Sequence, residues 1–385
     1  MMLNEEAMSI SMPRLPRDLI IEILTKLPVK SLLKFKSVCK SWYSIITDPQ
    51  FVKLHSKSPR LFLHCLAVRF DGAAVEEYHS VDYEAVVDKC VYYQAMVKFQ
   101  FPLKEAWVSI CGSCNGLIFM MSVMNELFVW NPSTGDLKEL PQSDLCFLIN
   151  QGSYCHGFGY DKSIDDYKVV VYGLSMGLSP PKSHVQVLTL KTNTWGIIQD
   201  VEFYRNVDPY YGVFANGALH WIANPSSSSE TMDLIAFDLA EEKFQVLPQP
   251  EPALPFRKRA LSVVNGWLCL CKGELDSGID VWIMKEYGVK ESWIKLITVP
   301  PHLFHNPNVW SCDKGFLPLC ISRDGDIFGI LDDHLLIECN VKQNWFRCIK
   351  IDSGSIFNHR GKKFRWTSYR LIRAIWYEES LVSTR

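Results

Sequence analysis

The first sixty residues place apolar side chains at helical spacing and interrupt them with proline and polar residues. The first stripe consists of Leu19, Ile20, Ile23, Leu24 and Leu27. This spacing predicts an amphipathic helix, because residues three and four apart share one face. Pro16 suits the first turn of this helix. Pro28 ends it, since proline donates no backbone hydrogen bond and disfavours a helical residue before it.

Three more short helices are expected after Pro28. The second helix starts at Ser31 or the bend before it and carries Leu32, Leu33 and Phe35. The third carries Val38, Trp42, Ile45 and Ile46. The fourth follows the cap Asp48-Pro49 and carries Phe51, Val52 and Leu54. A module of about forty-five residues cannot bury all of these side chains within itself. The surplus has two interpretations: a surface that binds a partner, or a helical cap packed on the following domain.

After a polar hinge at residues 56–60, the helical period gives way to short apolar runs separated by Gly, Asn, Asp and Pro. Such runs predict β-strands. Apolar runs follow the turn pairs Asn115-Gly116, Asn216-Gly217 and Asn265-Gly266, and more weakly Asp324-Gly325. Asn and Gly tolerate the positive φ of a two-residue hairpin turn, so we expect a series of antiparallel hairpins.

These elements repeat with a period near fifty residues. Three successive spacings of 49, 49 and 52 residues separate the aromatic anchors Trp195, Phe244, Trp293 and Trp345. A β-rich repeat of this length is typical of kelch-type propeller blades, which must stack in a ring to bury both of their faces. Residues 61–385 have room for about six blades, and we expect a strand at 376–383 to close the ring against the first blade. A large β-sandwich would explain the density of strands but not the period.

Composition and charge fit a globular chain. Of the 385 residues, 48% are hydrophobic and 21% are charged, and the net charge of −2 gives no strong attraction to nucleic acid or membrane.

The charge is unevenly distributed along the chain. The first sixty residues carry a net charge of +5 and the remainder a net charge of −7. The basic excess includes Lys26, Lys30, Lys34, Lys36 and Lys40. This excess is either a solvated helix face or a means of steering the module toward an acidic partner.

The candidate chemical motifs have structural interpretations. Cys111 and Cys114 form a CxxC, but no second pair follows at zinc-site spacing and the motif leads into a strand, so we interpret them as structural thiols. Gly157 and Gly159 are assigned to turns, and Asp165-Asp166 to a turn before a strand. We therefore expect no catalytic residue, cofactor or metal.

The thirteen cysteines are odd in number and scattered, which does not suit a disulfide framework. The chain begins without a basic start and apolar core, and it has no run of about eighteen apolar residues. We expect a location in the cytoplasm, the nucleus or both.

The N-terminal pattern closely resembles the F-box over roughly residues 13–57. The resemblance rests on residues 15–16 (LP), 18–20 (DLI), 23–24 (IL), 27–33 (LPVKSLL), Phe35 and 38–42 (VCKSW). It implies docking on the Skp adaptor of a cullin-based ubiquitin ligase. The adaptor-facing residues that it implies are Leu15, Pro16, Ile20, Ile23, Leu27, Pro28, Leu32, Leu33, Val38 and Trp42.

Residues 61–385 resemble the F-box-associated interaction domain of plant F-box proteins. The resemblance rests on residues 111–117 (CGSCNGL), 130–135 (WNPSTG), 157–161 (GFGYD), 166–170 (DYKVV) and 282–293 (WIMKEYGVKESW). It implies that this domain selects a protein substrate. The expected chain is thus mostly β with a small N-terminal α module: a flexible tail at 1–12, an F-box at 13–57, and a kelch-like propeller at 61–385.

The function expected from both resemblances is that of a substrate receptor, which presents a target protein for ubiquitination and performs no bond chemistry. The alternatives are a propeller enzyme with a helical cap and a scaffold that does not promote degradation. Target contacts are expected in loops at one rim of the propeller. The candidate segments, aromatic and proline-rich, are residues 202–211, 249–257 and 300–310, and two less regular tryptophans are Trp310 and Trp366.

Overall fold

The computed structural model divides the chain into two compact units, residues 1–58 and 59–385. The described residues are 15–55, 59–68, 74–82, 96–103, 108–145, 154–175, 182–198, 205–224, 232–250, 258–274, 277–301, 315–322, 324–331, 335–340, 342–343, 345–349, 356–359, 362–365 and 368–384. The predicted tail at 1–12, Trp310 and Trp366 lie outside them. The predicted hinge spans the division between the units, and its last two residues already belong to a strand.

Four short helices make up the described part of the first unit. They are α1 (Arg17–Thr25), α2 (Val29–Phe35), α3 (Lys40–Thr47) and α4 (Pro49–Leu54). Pro16 and Pro28 each lie immediately before a helix rather than inside its first turn. Asp48 caps α4 by accepting a hydrogen bond from the backbone N–H of Gln50 at 2.8 Å, as its position before Pro49 predicts.

The second unit is built from strands. In chain order these are β1 (Pro59–Val68), β2 (Ala74–Asp82), β3 (Met96–Phe99), β4 (Val108–Cys114), β5 (Leu117–Ser122), β6 (Leu127–Trp130), β7 (Leu137–Leu140), β8 (Tyr154–Asp161), β9 (Asp166–Ser175), β10 (Lys182–Thr189), β11 (Thr194–Ile198), β12 (Arg205–Ala215), β13 (Ala218–Asn224), β14 (Asp233–Asp238), β15 (Lys243–Leu247), β16 (Lys258–Val264), β17 (Trp267–Glu274), β18 (Gly278–Met284), β19 (Trp293–Val299), β20 (Phe316–Ile321), β21 (Asp326–Leu331), β22 (Leu335–Asn340), β23 (Trp345–Ile349), β24 (Ile356–His359), β25 (Lys362–Arg365) and β26 (Ser368–Glu378).

These strands pair as four-stranded antiparallel units. Four of them are separate sheets, with the orders β26-β1-β2-β3, β4 to β7, β16 to β19 and β20 to β23. Strands β8 to β15 form one eight-stranded sheet, but its halves meet through only two parallel residue pairs, Tyr211 with His156 and Gly212 with Gly157. With those halves counted separately, the described strands give six blades, in agreement with the sequence period. Strands β24 and β25 form a separate hairpin.

The blades form a closed ring, which confirms the propeller expected from the repeat and not the β-sandwich. The inner strands β26, β4, β8, β12, β16 and β20 are neighbours in that order, and β20 in turn contacts β26. Six apolar clusters lie between successive pairs of blades. The cluster that includes Leu61, Phe328 and Leu371, for example, joins the last blade to the first. Each blade therefore buries its two faces against its two neighbours.

The outer-strand tryptophans connect adjacent blades, which gives the repeat its physical basis. The indole Nε1 of Trp195 donates to the carbonyl of Pro141 at 2.9 Å, and that of Trp293 donates to the carbonyl of Pro248 at 2.9 Å. Each acceptor follows the outer strand of the preceding blade. Phe244 packs against the apolar cluster between the third and fourth blades, whereas Trp345 donates to Gln343 of its own blade. Three of the four anchors therefore recur because they pack between blades.

The tight turns adopt the backbone conformation that their residues predict. Asn115, Asn216 and Asn265 have φ values of 48°, 49° and 49°, and the glycine after each is also at positive φ. These turns join the inner strand of a blade to its second strand.

Gly157 and Gly159 lie inside β8. The assignment of these two glycines to turns is therefore wrong. A Cβ on Gly159 would lie 2.3 Å from the Phe214 ring, so glycine is required by the close approach of β12.

The C-terminal strand closes the ring, as expected, but with different bounds. Strand β26 is the inner strand of the first blade and pairs with β1 from Pro59–Glu378 to Val68–Ser368. Residues 379–384 then cross onto the second blade. The side-chain amide of Asn131 donates to the carbonyls of Ser380 and Val382 at 3.1 and 2.7 Å, and Leu381 is buried. The chain end is therefore held by side-chain contacts beyond its last strand.

A buried ion cluster joins the third blade to the fourth. Lys168 Nζ lies 2.8 Å from Asp161 Oδ2 and 2.8 Å from Glu242 Oε1, and it donates to the carbonyl of Leu239 at 2.6 Å. Burial acts to raise the pKa of Asp161, but hydrogen bonds from Lys168 and Ser163 outweigh it and hold that pKa below its usual value. Burial acts to lower the pKa of Lys168, and its carboxylate partners outweigh that effect and raise it. Both groups are therefore charged together.

Replacing Asn131 by Asp tests the C-terminal closure. The new carboxylate faces the carbonyl oxygens of Ser380 and Val382, so the free energy of unfolding is expected to fall by about 3 kcal/mol. Denaturant unfolding followed by tryptophan fluorescence measures the change. Asn193→Asp is the matched control, because Asn193 is an exposed turn residue at φ 55° and Asp tolerates that conformation. Equal loss of stability in both variants would contradict the closing role of Asn131.

Replacing Lys168 by Met tests the buried cluster. The change leaves Asp161 charged and unpaired, so we expect a loss of about 3–5 kcal/mol at pH 7. In the wild-type chain, ionised Asp161 stabilises the fold at pH values above the pKa that it has in the unfolded state. This stabilisation is lost as the pH falls through the lower pKa that Asp161 has in the folded state. In the variant, protonation relieves the unpaired charge, so the difference between the two proteins should narrow toward about pH 4.

Lys295→Met is the control for this experiment. Lys295 pairs with Asp280 at 2.8 Å, but both side chains are partly exposed, and such a pair contributes at most about 1 kcal/mol. Urea unfolding at several pH values measures both variants. A pH-independent penalty in Lys168→Met would show that lost packing, not the unpaired charge, is responsible.

Candidate functional site

The helical unit has a small core of its own. Helix α1 contributes Leu24, and the other buried apolar residues are Val29, Leu32, Ile45, Ile46 and Phe51. The ring of His55 forms a hydrogen bond through Nε2 with the carbonyl of Leu27 at 2.7 Å, and this contact ties the end of α4 to the segment after α1. The four helices are therefore fixed relative to one another by few residues, as expected for a module of this size.

The same unit exposes an apolar surface on α1. Leu19 and Ile23 are 48% and 52% exposed, and they share one face of the helix because they lie four residues apart. Leu15, just before the helix, is 51% exposed. We call these three residues the α1 surface. Leu24 faces inward and is buried, so α1 carries two apolar faces of which only one is covered.

The structure places the ten predicted adaptor-facing residues in three classes. Those exposed are Leu15, Pro16, Ile23, Pro28 and Val38, and those partly buried are Ile20, Leu27, Leu33 and Trp42. Trp42 packs edge-to-face on Phe35 with ring centroids 5.2 Å apart. Leu32 forms the third class and corrects the prediction: it is fully buried, so it belongs to the core of the unit and not to its surface.

The set of ten predicted adaptor-facing residues does not include three exposed apolar residues of the same unit, Leu19, Tyr43 and Leu54. The signal for Leu19 was present, since it continues the spacing of four that joins Leu15 to Ile23. Helical spacing identifies both apolar faces of α1 but does not tell which of them is covered. That distinction required the positions of α2 to α4.

The basic residues of the unit remain largely in solvent. Lys26 pairs with Glu22 at 2.8 Å, but both side chains are more than half exposed, so the pair adds little stability. Lys30, Lys34 and Lys40 are exposed without a described acidic partner. The positive charge predicted for this end of the chain is thus available to an acidic partner.

The candidate target segments of the propeller all leave from one face. The connections at 199–204, 248–257 and 300–315 each join the outer strand of one blade to the inner strand of the next, so the ends of β11, β15 and β19 define that face. We call it the connection face. The Asn-Gly turns and the first residue of β1 lie at the opposite face. Residues 205–211 belong to β12, which corrects their assignment to a loop. The other parts of the candidate segments, residues 202–204, 251–257 and 302–310, lie outside the described residues.

The other candidate chemical groups have structural surroundings. Cys111 and Cys114 are buried cysteines of β4, and burial raises the pKa of Cys111 to about 12. Asp165 is a turn residue at φ 52°, and Asp166 accepts hydrogen bonds from the backbone N–H groups of Tyr167 and Lys191. In the described part of the chain, no three His, Cys, Asp or Glu residues are grouped as metal ligands.

Comparison with known families identifies both units. Residues 12–54 match the F-box domain, and residues 76–369 match the F-box associated beta propeller domain, which alone covers more than half of the chain. This chain is a plant F-box protein of the F-box associated propeller family. The match agrees with the helical unit and the ring of blades described above.

Relatives of this F-box protein are found in Arabidopsis thaliana. F-box protein CPR1 is 31% identical over 334 residues, which cover 79% of this chain and 78% of the relative. F-box/kelch-repeat protein At3g23880 is 31% identical over 328 residues, with 81% and 86% covered. Among solved structures, a Dos1 propeller is similar with a TM-score of 0.38 and 11% identity, covering 81% of this F-box protein and 74% of that chain; a score this low carries no argument about function.

No helix among the described residues of this F-box protein is both long and apolar enough to cross a bilayer.

Because Leu32 is buried and Ile23 is exposed, replacing each by Ala should change the stability of the helical unit by very different amounts. Leu32→Ala should destabilise the helical unit by about 2–5 kcal/mol, because it opens a cavity in a small core. Ile23→Ala should change its stability by less than about 0.5 kcal/mol. Hydrogen exchange of peptides within residues 15–55 measures local opening. Equal protection in the two variants would contradict the division into core and surface.

Proposed function

We propose that this F-box protein is the substrate receptor of a Skp–cullin–F-box ubiquitin ligase. The observation that carries the proposal is the α1 surface: Leu15, Leu19 and Ile23 are about half exposed on a unit that has a buried core of other apolar residues. Clustered apolar residues on a small unit of a soluble chain favour a protein partner. A Skp-type adaptor is the partner that the F-box family implies.

The adaptor interface would combine apolar anchors with charge steering. A specific interface buries on the order of 1,200–2,000 Å², and its energy is concentrated in a few large side chains. Ile23 and the partly buried Trp42 are the natural anchors within the predicted set. The exposed lysines would increase the association rate with an acidic adaptor surface.

The propeller would hold the target protein, and this chain would perform no bond chemistry. Its contribution would be proximity, since a target held near the charged enzyme presents its lysines at high effective concentration. We assign target binding to the connection face, because three aromatic- and proline-rich connections leave from it. No cofactor is required by this function.

We further propose that the complex acts in the cytoplasm, the nucleus or both. The nine cysteines that the structure describes are free thiols, and eight of them are buried. Free thiols are typical of proteins in reducing compartments.

Ile23→Asp tests adaptor docking. The new charge would lie within the apolar interface, so we expect the affinity for a Skp-type adaptor to fall by at least about 30-fold, measured by calorimetry with purified proteins. Leu54→Asp is the matched control, because Leu54 is 69% exposed on α4 and lies outside the predicted set.

Unchanged hydrogen exchange in residues 15–55 would show that both variants remain folded. Wild-type affinity in Ile23→Asp, or failure of the wild-type chain to bind the adaptor at micromolar concentration, would overturn the proposal.

A further inference from the structure

The centre of the propeller contains a partly open cavity of about 500 Å³. Its wall is formed by residues of the inner strands β4, β12, β16, β20 and β26, with Phe158 of β8. Pockets of roughly 300–1,000 Å³ hold small organic ligands in proteins. The cavity is therefore large enough for a molecule of that class.

Two arginines contribute to the wall of this cavity. Arg259 belongs to β16 and Arg373 to β26, while the carboxylate among the lining residues is Glu378, at the end of β26. The guanidinium carbon of Arg373 lies 4.3 Å from the centroid of the Tyr211 ring, which also lines the cavity. The ring therefore packs against the guanidinium at the wall of the cavity.

The positive charge of Arg373 is not balanced by its described neighbours. None of the described carboxylates lies within ion-pair distance of it. Burial raises the pKa of the nearby Cys111 to about 12, so this thiol is neutral near pH 7. Burial, and secondarily the charge of Arg373, lowers the pKa of His156 to about 3, so this imidazole is neutral as well.

Hydrogen-bond donors at the cavity also lack acceptors. The Nε–H of Arg373 is buried and has no described partner. Ser262 lines the cavity, is only 8% exposed, and its hydroxyl has no described partner. Buried donors without acceptors are unfavourable, and they are uncommon in folded proteins. Both atoms are covered within the wall, so a bound oxyanion would accept from them once a side-chain rotation turns them toward the cavity.

The rest of the wall is suited to an apolar body. Phe158, Phe214, Leu261 and Leu319 line the cavity together with Trp376. A ligand that satisfies both parts of the wall has one anionic head and one flat or branched apolar portion.

We propose that the central cavity is a binding site for a small organic oxyanion, a carboxylate or a phosphate ester with an apolar body. Arg373, Arg259 and Ser262 bind the oxyanion, and the apolar wall holds the rest of the molecule. This site is independent of adaptor docking, since none of its residues belongs to the helical unit.

Calorimetry with the purified 385-residue chain tests the site with three matched probes. These are 2-naphthoate, 2-naphthyl phosphate and the neutral 2-naphthamide. The better of the two anions is expected to bind at least about tenfold more tightly than the amide, and which anion it is distinguishes a carboxylate site from a phosphate site.

Variants separate the proposed contacts from general charge effects. Arg373→Met and Arg259→Met retain apolar volume and should weaken binding of the better anion by about 10- to 100-fold, and Ser262→Ala by about 3- to 10-fold. Lys243→Met is the control, because it removes an exposed positive charge from β15, outside the cavity, and should leave affinity unchanged. Ser262→Ala removes only a hydroxyl, so it tests the site even where an arginine variant fails to fold.

Three results would overturn the proposal. They are the absence of binding by both anions up to about 1 mM, equal binding of the neutral amide, and wild-type affinity in the folded Ser262→Ala and arginine variants. Thermal unfolding of each variant shows which of them are folded.

Discussion

Burial of apolar surface between neighbouring blades is the constraint on which the propeller depends. A four-stranded sheet has two faces, and each face is covered only by the next sheet in the ring. Six apolar clusters, one between each pair of neighbouring blades, meet this requirement. The first blade can join the ring only because β26 supplies its inner strand. Ion pairs such as that of Lys168 add specific contacts at interfaces that apolar packing has already formed.

Local chemistry repeated along the chain made the fold predictable. Asn115-Gly116 and its copies set the turns because positive φ is tolerated by few residues. Trp195 and Trp293 set the period because each donates to the blade before it. The closing strand was expected at the right end of the chain, but β26 starts eight residues and ends five residues earlier than predicted, since the alternation of apolar residues does not define where pairing ends.

Properties that depend on distant parts of the chain were not predictable. Gly159 resembles a turn glycine in sequence, and its role as a contact point for Phe214 emerges only when β12 lies beside β8. Leu24 and Leu19 are both leucines of α1 in one predicted stripe, yet one is buried and the other is exposed, because α2 to α4 cover only one side of α1. Arg259 and Arg373 are separated by more than one hundred residues, so no local pattern joins them at one cavity.

The pairing of β1 with β26 has a consequence for synthesis on the ribosome. The edge of β1 that β26 covers is made at the start of the domain, whereas residues 368–378 are translated about three hundred residues later. An unpaired strand edge invites association with other chains. Messages interrupted before this point would yield products that retain the F-box helices but carry an open, aggregation-prone ring. Quality control of nascent chains would therefore be most important while β1 is made and β26 is not.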